Sequence, residues 1–334
     1  MSKTMDVYPL VFQPLLKHRV WGGRRLVHLG KRLPPDEIIG ESWEIADLPE
    51  TVDGGQSCVA NGPLTGQTLR SLIQQDPVAI LGSGGHSDEP FPLLIKFLDA
   101  EQNLSVQVHP PQHYVDAHPE AALKSEAWVI LDAQPDAKLY IGLREGLSAE
   151  MLIAHVEAGT LQDELIQVDA HVGDCHYLPA GTCHALGAGI VVAEIQTPSD
   201  TTFRVYDWDR TDREMHVAEA AACIDFEHPV PPEPLHEAIE KRGEIRIQRL
   251  CVSPFFTIDR LEAVEDDVLP LETGDQPVII MATDGRARLV SDRIEDDVIE
   301  IDRGMTTLIP AALMGWQLEL QRGCTLLEVR PSAT

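Results

Sequence analysis

From residue 245 to residue 330 the chain is a succession of short apolar runs separated by turn residues. Phe255–Leu261, Val278–Thr283, Ala287–Val290, Val298–Ile301, Thr306–Ile309, Gln317–Leu320 and Leu326–Val329 each have strand length and strand composition. Many short strands at this spacing predict a β-sandwich or barrel. Upstream, Val7–Phe12, Gly40–Asp47, Phe91–Ala100, Glu126–Leu131, Ala137–Gly142, Ile166–Val168 and Gly189–Ile195 add further strands. Helical signals are few. One short helix begins at Thr68, and residues 112–125 read as a helix or an irregular helical insert. Ser148 caps a helix running to Ala158, Thr160 caps a shorter one, and Met215–Ile224 is a fifth.

A weak internal repeat divides this β-rich chain. Gly173, five residues, then Pro179, Gly181 and His184 is echoed by Gly304, five residues, then Pro310. The second copy has no glycine or histidine at the matching places. It predicts a second barrel of similar build without a metal site. The Pro-rich segment Glu227–Pro234 is the linker candidate, which divides the chain into 1–226 and 235–334.

With 334 residues the chain can bury a sizeable core. Its formal net charge of −28 argues against nucleic acid or an anionic membrane surface as a partner. An anionic substrate would therefore need its own local cluster of Lys and Arg. No apolar run approaches the length of a membrane span, and no signal-peptide core follows Met1–Asp6. Six scattered cysteines form neither a disulfide framework nor a C-x-x-C pair, so a reducing cytoplasm is expected. The Gly82–Asp88 loop is rich in glycine but lacks the Gly-Lys-Ser/Thr ending of a phosphate-binding loop.

The chemistry concentrates in Ser105-Val106-Gln107-Val108-His109-Pro110-Pro111. Period-2 alternation puts Val106 and Val108 on one strand face and Gln107 and His109 together on the other. Pro110 and Pro111 then stop the ladder. Glu126 opens a strand further on, and His184 follows a Pro-Ala-Gly turn. Gln107, His109, Glu126 and His184 are candidate ligands for a borderline divalent ion. Zn²⁺ comes first, and Fe²⁺, Mn²⁺ or Co²⁺ suit the same donors. Lys96 interrupts a strongly apolar strand, where an ammonium is costly to bury without a partner.

These blocks resemble a known family. The Gly173–His184 run is similar to the second cupin motif. Leu94-Ile95-Lys96, Ser105–Pro110, Lys124-Ser125-Glu126 and Gln196–Arg204, in that order, resemble type I mannose-6-phosphate isomerase in its short bacterial form. The resemblance extends over roughly residues 6–330, densest between 91 and 210. It implies a mostly β fold: two cupin (jelly-roll) barrels with a small helical portion, residues 1–226 catalytic and 235–334 a degenerate partner. It implies one zinc ion per chain on Gln107, His109, Glu126 and His184, and Arg204 as the active-site arginine. Lys96, Lys124 and Glu194 also fall on motif positions lining that family's site. The implied reaction interconverts mannose 6-phosphate and fructose 6-phosphate through a cis-enediol.

The chemistry of the residues fits that expectation. Proton transfer between two sugar carbons needs an electrophile, a base and an acid. Glu194 and Lys124 are the candidate proton carriers, and Arg204 can stabilise an enediolate or bind a substrate oxygen. Lys96, Arg24 and Lys124 are candidate phosphate contacts, whereas an ion pair with Asp207 or Asp209 is the structural alternative for Arg204. Trp21 and Trp43 read as core rather than as sugar platforms. Two rivals stand: another cupin metalloenzyme such as an iron dioxygenase, and a non-catalytic cupin that binds a sugar or a metal. Oligomeric state is left open between monomer and weak dimer.

Overall fold

Strand alternation gives each sheet two distinct faces, and the four sheets stack so that each is joined face to face to its neighbours by apolar contacts. The structure is a computed structural model describing residues 5–208, 210–228, 237–293 and 297–332. A six-stranded antiparallel sheet runs in the order Leu15–Lys17, Glu41–Ile45, Leu94–Ala100, Ile190–Gln196, Glu126–Ala133, Cys175–Leu178. It faces a five-stranded sheet ordered Phe203–Tyr206, Val106–Val108, His184–Leu186, Lys138–Leu143, Leu165–Asp169. Leu98, Trp128, Ile130 and Val192 from the first meet Leu139, Ile141 and Leu186 from the second. Together these two sheets make the first barrel.

The outer face of the five-stranded sheet is closed by helices. Val106, Val108, Ala185 and Val205 pack on Tyr114, Leu152 and Ala220, which come from helices Gln112–Ala117, Ala149–Ala158 and Val217–Cys223. The outer face of the six-stranded sheet is closed by the rest of the chain. Its Ile95, Phe97, Val129 and Ile195 pack on Phe256, Ile258, Ile279 and Val329. Strands Leu94–Ala100 and Ile190–Gln196 are buried at every position, as central strands covered on both faces must be.

The second barrel repeats the first. Its seven-stranded sheet contains, in spatial order, Thr306–Ile309, Val278–Asp284, Thr325–Pro331, Phe256–Ala263 and Ile245–Val252. That is the order of Cys175–Leu178, Glu126–Ala133, Ile190–Gln196, Leu94–Ala100 and Glu41–Ile45 in the first barrel. The fold is thus mostly β, two cupin barrels set back to back. Its four-stranded sheet closes the inside through Leu289 and Leu318 against Leu261, Ile280 and Leu326. At the repeat, Thr306–Ile309 follows Gly304 as Cys175–Leu178 follows Gly173. Gly304 has φ 80, and a Cβ there would lie 1.9 Å from the Leu29 carbonyl oxygen, so the turn admits only glycine.

Local differences from expectation have local causes. The first strand is only Leu10–Val11, paired to Thr306–Ile309 in the other barrel, because Pro9 has no N–H to extend the ladder. The helix expected over 112–125 ends at Ala117, since His118 precedes Pro119 and is pushed out of the helical region. Ser148 caps its helix through the Met151 amide, and Gly159 ends it at φ 69. Thr160 makes no cap; its hydroxyl faces His155 instead. Strands Glu240–Arg242, Ile245–Val252 and Asp267–Pro270 were not expected. Within the linker candidate, residues 229–234 lie outside the described residues. No described helix is long and apolar enough to cross a membrane.

Candidate active site

The site forms between the two sheets of the first barrel, and strand register assembles it. On the five-stranded sheet Gln107 lies opposite both His184 and Arg204. The Pro110 stop places His109 just beyond the strand end, 2% exposed. On the six-stranded sheet Trp43, Lys96, Glu194 and Trp128 lie side by side across four strands. Glu126 pairs with Gln196 one inward position further on.

His109, Glu126 and His184 offer ligand atoms that all lie within 4.8 Å of one another, and all three residues are buried. His109 Nε2 is 3.2 Å from Glu126 Oε2, and His184 Nε2 is 3.3 Å from Glu126 Oε1. Gln107 Nε2 lies 3.4 Å from His184 Nε2. The far nitrogens of both rings are held by carbonyls: His109 Nδ1 at 3.1 Å from Thr201 O, His184 Nδ1 at 2.8 Å from Thr182 O. An Nδ1–H donating to a carbonyl leaves the Nε2 lone pair facing Glu126.

The remaining donors are left without partners. His109 Nε2 and both Glu126 oxygens are buried with no hydrogen bond of good geometry. Buried polar atoms are rarely left without a hydrogen bond; His109 Nε2 and Glu126 Oε1 converging on one point, with Glu126 Oε2 against only the Lys124 ammonium, suit a divalent cation. Protonation agrees. Burial, then the Lys124 ammonium, push the His109 imidazole down to about 3 against the opposing pull of Glu126, so it is neutral and can ligate. Burial would raise the Glu126 carboxyl, but Lys124 and the two imidazoles outweigh it and hold the group well below the usual carboxylate range. Two imidazoles and one carboxylate suit Zn²⁺ or a neighbouring first-row ion.

Above this floor opens a cavity of about 470 Å³. Lys96, Gln107, Lys124, Glu194 and Arg204 line it, as do Trp21 and Trp43. Lys124 Nζ is 3.0 Å from Glu126 Oε2. Lys96 Nζ is 2.8 Å from Glu194 Oε1 and also reaches Gln196 Oε1, while Trp128 Nε1 donates to Glu194 Oε2 at 3.0 Å. Lys96 is therefore neither a snorkelling edge residue nor an open cation. The two tryptophans are buried, yet they also form the cavity wall.

Arg204 donates through Nη1 to the Glu214 carbonyl at 2.6 Å, and its Nε is buried without a partner. No carboxylate among the described residues pairs with it. Asp207 is taken instead by Arg210 and Arg213, and Asp209 lies outside the described residues. Arg24 does not reach the cavity: its guanidinium donates to the carbonyls of Pro34 and Glu37 across an exposed turn. Arg19 and Arg213 line the cavity in its place, with Glu41 beside them. Glu41 accepts from Arg19 Nε at 2.9 Å and from Trp43 Nε1. The sequence signal for Glu41 was its i, i+2 spacing from Trp43 on one strand face; Arg213 carried no comparable signal.

Fold and site together define a two-barrel cupin protein with a buried His–Glu–His cluster, a candidate cation site, under a charged cavity. Residues 10–139 match the model of the phosphomannose isomerase type I catalytic domain. The chain is 34% identical over 329 residues to mannose-6-phosphate isomerase ManA of Bacillus subtilis, covering 96% of this chain and 98% of that protein. It is 31% identical over 317 residues to mannose-6-phosphate isomerase of Streptococcus mutans, covering 93% and 95%. The crystal structure of the mannose 6-phosphate isomerase from B. subtilis superposes with a TM-score of 0.85 at 30% identity, covering 97% of this chain and 99% of that one. The chain belongs to the type I mannose-6-phosphate isomerase family.

Proposed function

We propose that this chain interconverts mannose 6-phosphate and fructose 6-phosphate, moving a proton between C1 and C2 through a cis-enediol. The observation that carries the reading is the convergence of buried His109 Nε2, His184 Nε2 and the Glu126 carboxylate, with no hydrogen bond of good geometry to His109 Nε2 or either Glu126 oxygen, beneath a cavity walled by Lys124, Glu194 and Arg204. Gln107, His109, Glu126 and His184 would hold one zinc ion. When bound there, the ion supplies Lewis acidity to the sugar oxygens on C1 and C2.

The chain's own groups do the rest. Lys124 stands between the ligand floor and the open cavity, and Glu194 stands on the cavity wall; these are the two candidate proton carriers. Lys96 and Trp128 fix the Glu194 carboxylate in place from both sides. Arg204, without a carboxylate partner among the described residues, is free to meet a developing oxyanion or the phosphate. Arg19 and Arg213 add positive charge on the same wall, the local cation cluster that a −28 chain needs to take an anion. Lys96 contributes through Glu194 rather than by direct contact. A charged wall of this kind suits a sugar phosphate and is unlike the apolar pocket a cupin oxygenase needs. Six scattered cysteines with no disulfide framework support a reducing cytoplasm as its compartment.

The test is a coupled assay of fructose 6-phosphate formation from mannose 6-phosphate, on chelator-stripped protein and again after zinc is restored. Activity that vanishes on stripping and returns with zinc is expected. His109→Ala should lose both ion and turnover, whereas Arg204→Ala should keep the ion and lose about 10²–10³ in kcat/KM. Folded, ion-loaded protein without activity would remove the reading, and a fully active Arg204→Ala would remove the site assignment.

A further inference from the structure

We infer that Gln196 is a positioning residue for His109 and Lys124, an inference that rests on the cation-site reading above. Gln196 is fully buried, next to the ligand Glu126 in the strand register. It is not a ligand itself, because its amide is consumed elsewhere. Oε1 accepts from Lys96 Nζ. Nε2 donates to the carbonyls of Thr197 at 2.9 Å and Ser199 at 2.6 Å. Both N–H bonds are therefore spent on holding the chain that leaves its own strand, and the carbonyl oxygen on Lys96 of the neighbouring strand.

That chain is what aims the site. The segment 197–201 ends at Thr201, whose carbonyl holds His109 Nδ1. The same segment is laced to the stretch before Glu126. Thr197 Oγ1 donates to Leu123 O at 3.0 Å and accepts from the Ser125 amide at 3.2 Å. Ser199 Oγ donates to Ala122 O at 3.1 Å and accepts from the Thr201 amide at 3.2 Å. Lys124 lies inside the stretch so bound. One buried amide thus sets the segment that orients an imidazole on one side and an ammonium on the other. No apolar side chain can replace it without leaving the Ser199 carbonyl unpaired; the Thr197 carbonyl would keep only the Ser199 amide, at 2.7 Å. Partners one step removed from a metal are worth about ten- to a hundredfold in metal affinity.

The experiment compares Gln196→Met with Val129→Ala, a truncation on the opposite face of the same sheet that lowers stability without touching the segment. Two quantities are read on each. The first, in ion-free protein, is the His109 Nδ1–H resonance, protected from solvent exchange by the Thr201 carbonyl. The second is Co²⁺ or Zn²⁺ affinity by competition with a chromophoric chelator. Gln196→Met should lose the protected resonance and bind the ion about ten- to a hundredfold more weakly, with Val129→Ala unchanged in both. A Gln196→Met protein that keeps the resonance and the affinity overturns the inference, as does equal loss in Val129→Ala. If the parent protein binds no divalent ion while the resonance is present and is lost only in Gln196→Met, the positioning stands and the cation-site reading falls.

Discussion

Glu41 shows how much one carboxylate in this cavity wall has been conditioned by its neighbours. Burial raises its pKa, but the Lys96 ammonium and the Arg19 guanidinium outweigh burial and bring the group from 4.5 down to about 2. The folded form thus binds its proton less readily than the unfolded chain. Between about pH 4.5 and 2 the unfolded state holds more protons, so stability rises with pH through that window. The contribution is complete above about 4.5 and is lost as pH falls towards 2. At about 1.4 kcal/mol per pKa unit it is on the order of 3 kcal/mol. Denaturation midpoints measured from pH 2 to 6 should therefore fall more steeply for the parent than for Glu41→Gln; parallel curves would show that Glu41 is not held this way. At this scale the sequence was partly legible. Residue type and strand parity singled out Gln107 and His109, and the structure brings both beside His184 and Glu126. Arg24 misled because a guanidinium's destination depends on which carbonyls lie near it, and Pro34 and Glu37 lie across a turn that spacing does not reveal.

The elements join through one buried pair that no motif marks. Lys31 follows the short helix Arg25–Leu29. Its Nζ lies 2.6 Å from Glu44 Oε2 on the six-stranded sheet and 2.7 Å from the Gly304 carbonyl of the second barrel. The side chains of Lys31 and Glu44 are only 6% and 3% exposed, so neither charge has water to fall back on. Ser42 donates to the other Glu44 oxygen at 2.6 Å. Removing one member strands the other, which costs about 3–5 kcal/mol, whereas replacing both with apolar groups is close to neutral. Urea denaturation of Lys31→Met, Glu44→Leu and the double variant should give two large losses and a double variant markedly more stable than either single one. Additive losses would show the pair is not coupled. Strand existence was legible at this scale because apolar alternation is a local property. The helix start at Ser148 was legible because the cap sits in the sequence, whereas the stop before Pro119 was passed over when the segment was read as helical to 125. Asp267–Pro270 was not, since its proline and aspartate disguise an edge strand.

For the whole molecule the sequence carried the repeat, through Gly173 and Gly304, but not the back-to-back packing. An apolar outer face such as Ile95, Phe97, Val129 and Ile195 reads the same whether a helix or a second sheet covers it. What covers it here is the other barrel, and Phe256 is at the contact: fully buried, with its ring edge-on to Tyr177 at 6.1 Å. The Leu10–Val11 strand also crosses over to pair with Thr306–Ile309. Each barrel therefore lacks one buried face without the other. Phe256→Ala should cost about 3–5 kcal/mol, the usual loss for a core phenylalanine, and that loss should be felt in both barrels. The probes are built in. Trp21, Trp43, Trp128 and Trp208 belong to the first barrel, so with Trp316 of the second barrel replaced (Trp316→Phe in parent and variant alike) fluorescence reports on the first, while Cys324 is a buried thiol of the second. In a urea titration of Phe256→Ala, tryptophan fluorescence and Cys324 labelling should shift together to a lower midpoint, because exposing either barrel's inner sheet removes the cover from the other. If Cys324 becomes reactive at low urea while the tryptophan signal holds at the parent midpoint, the barrels fold independently. The cavity would then owe nothing to the half of the chain that does not line it.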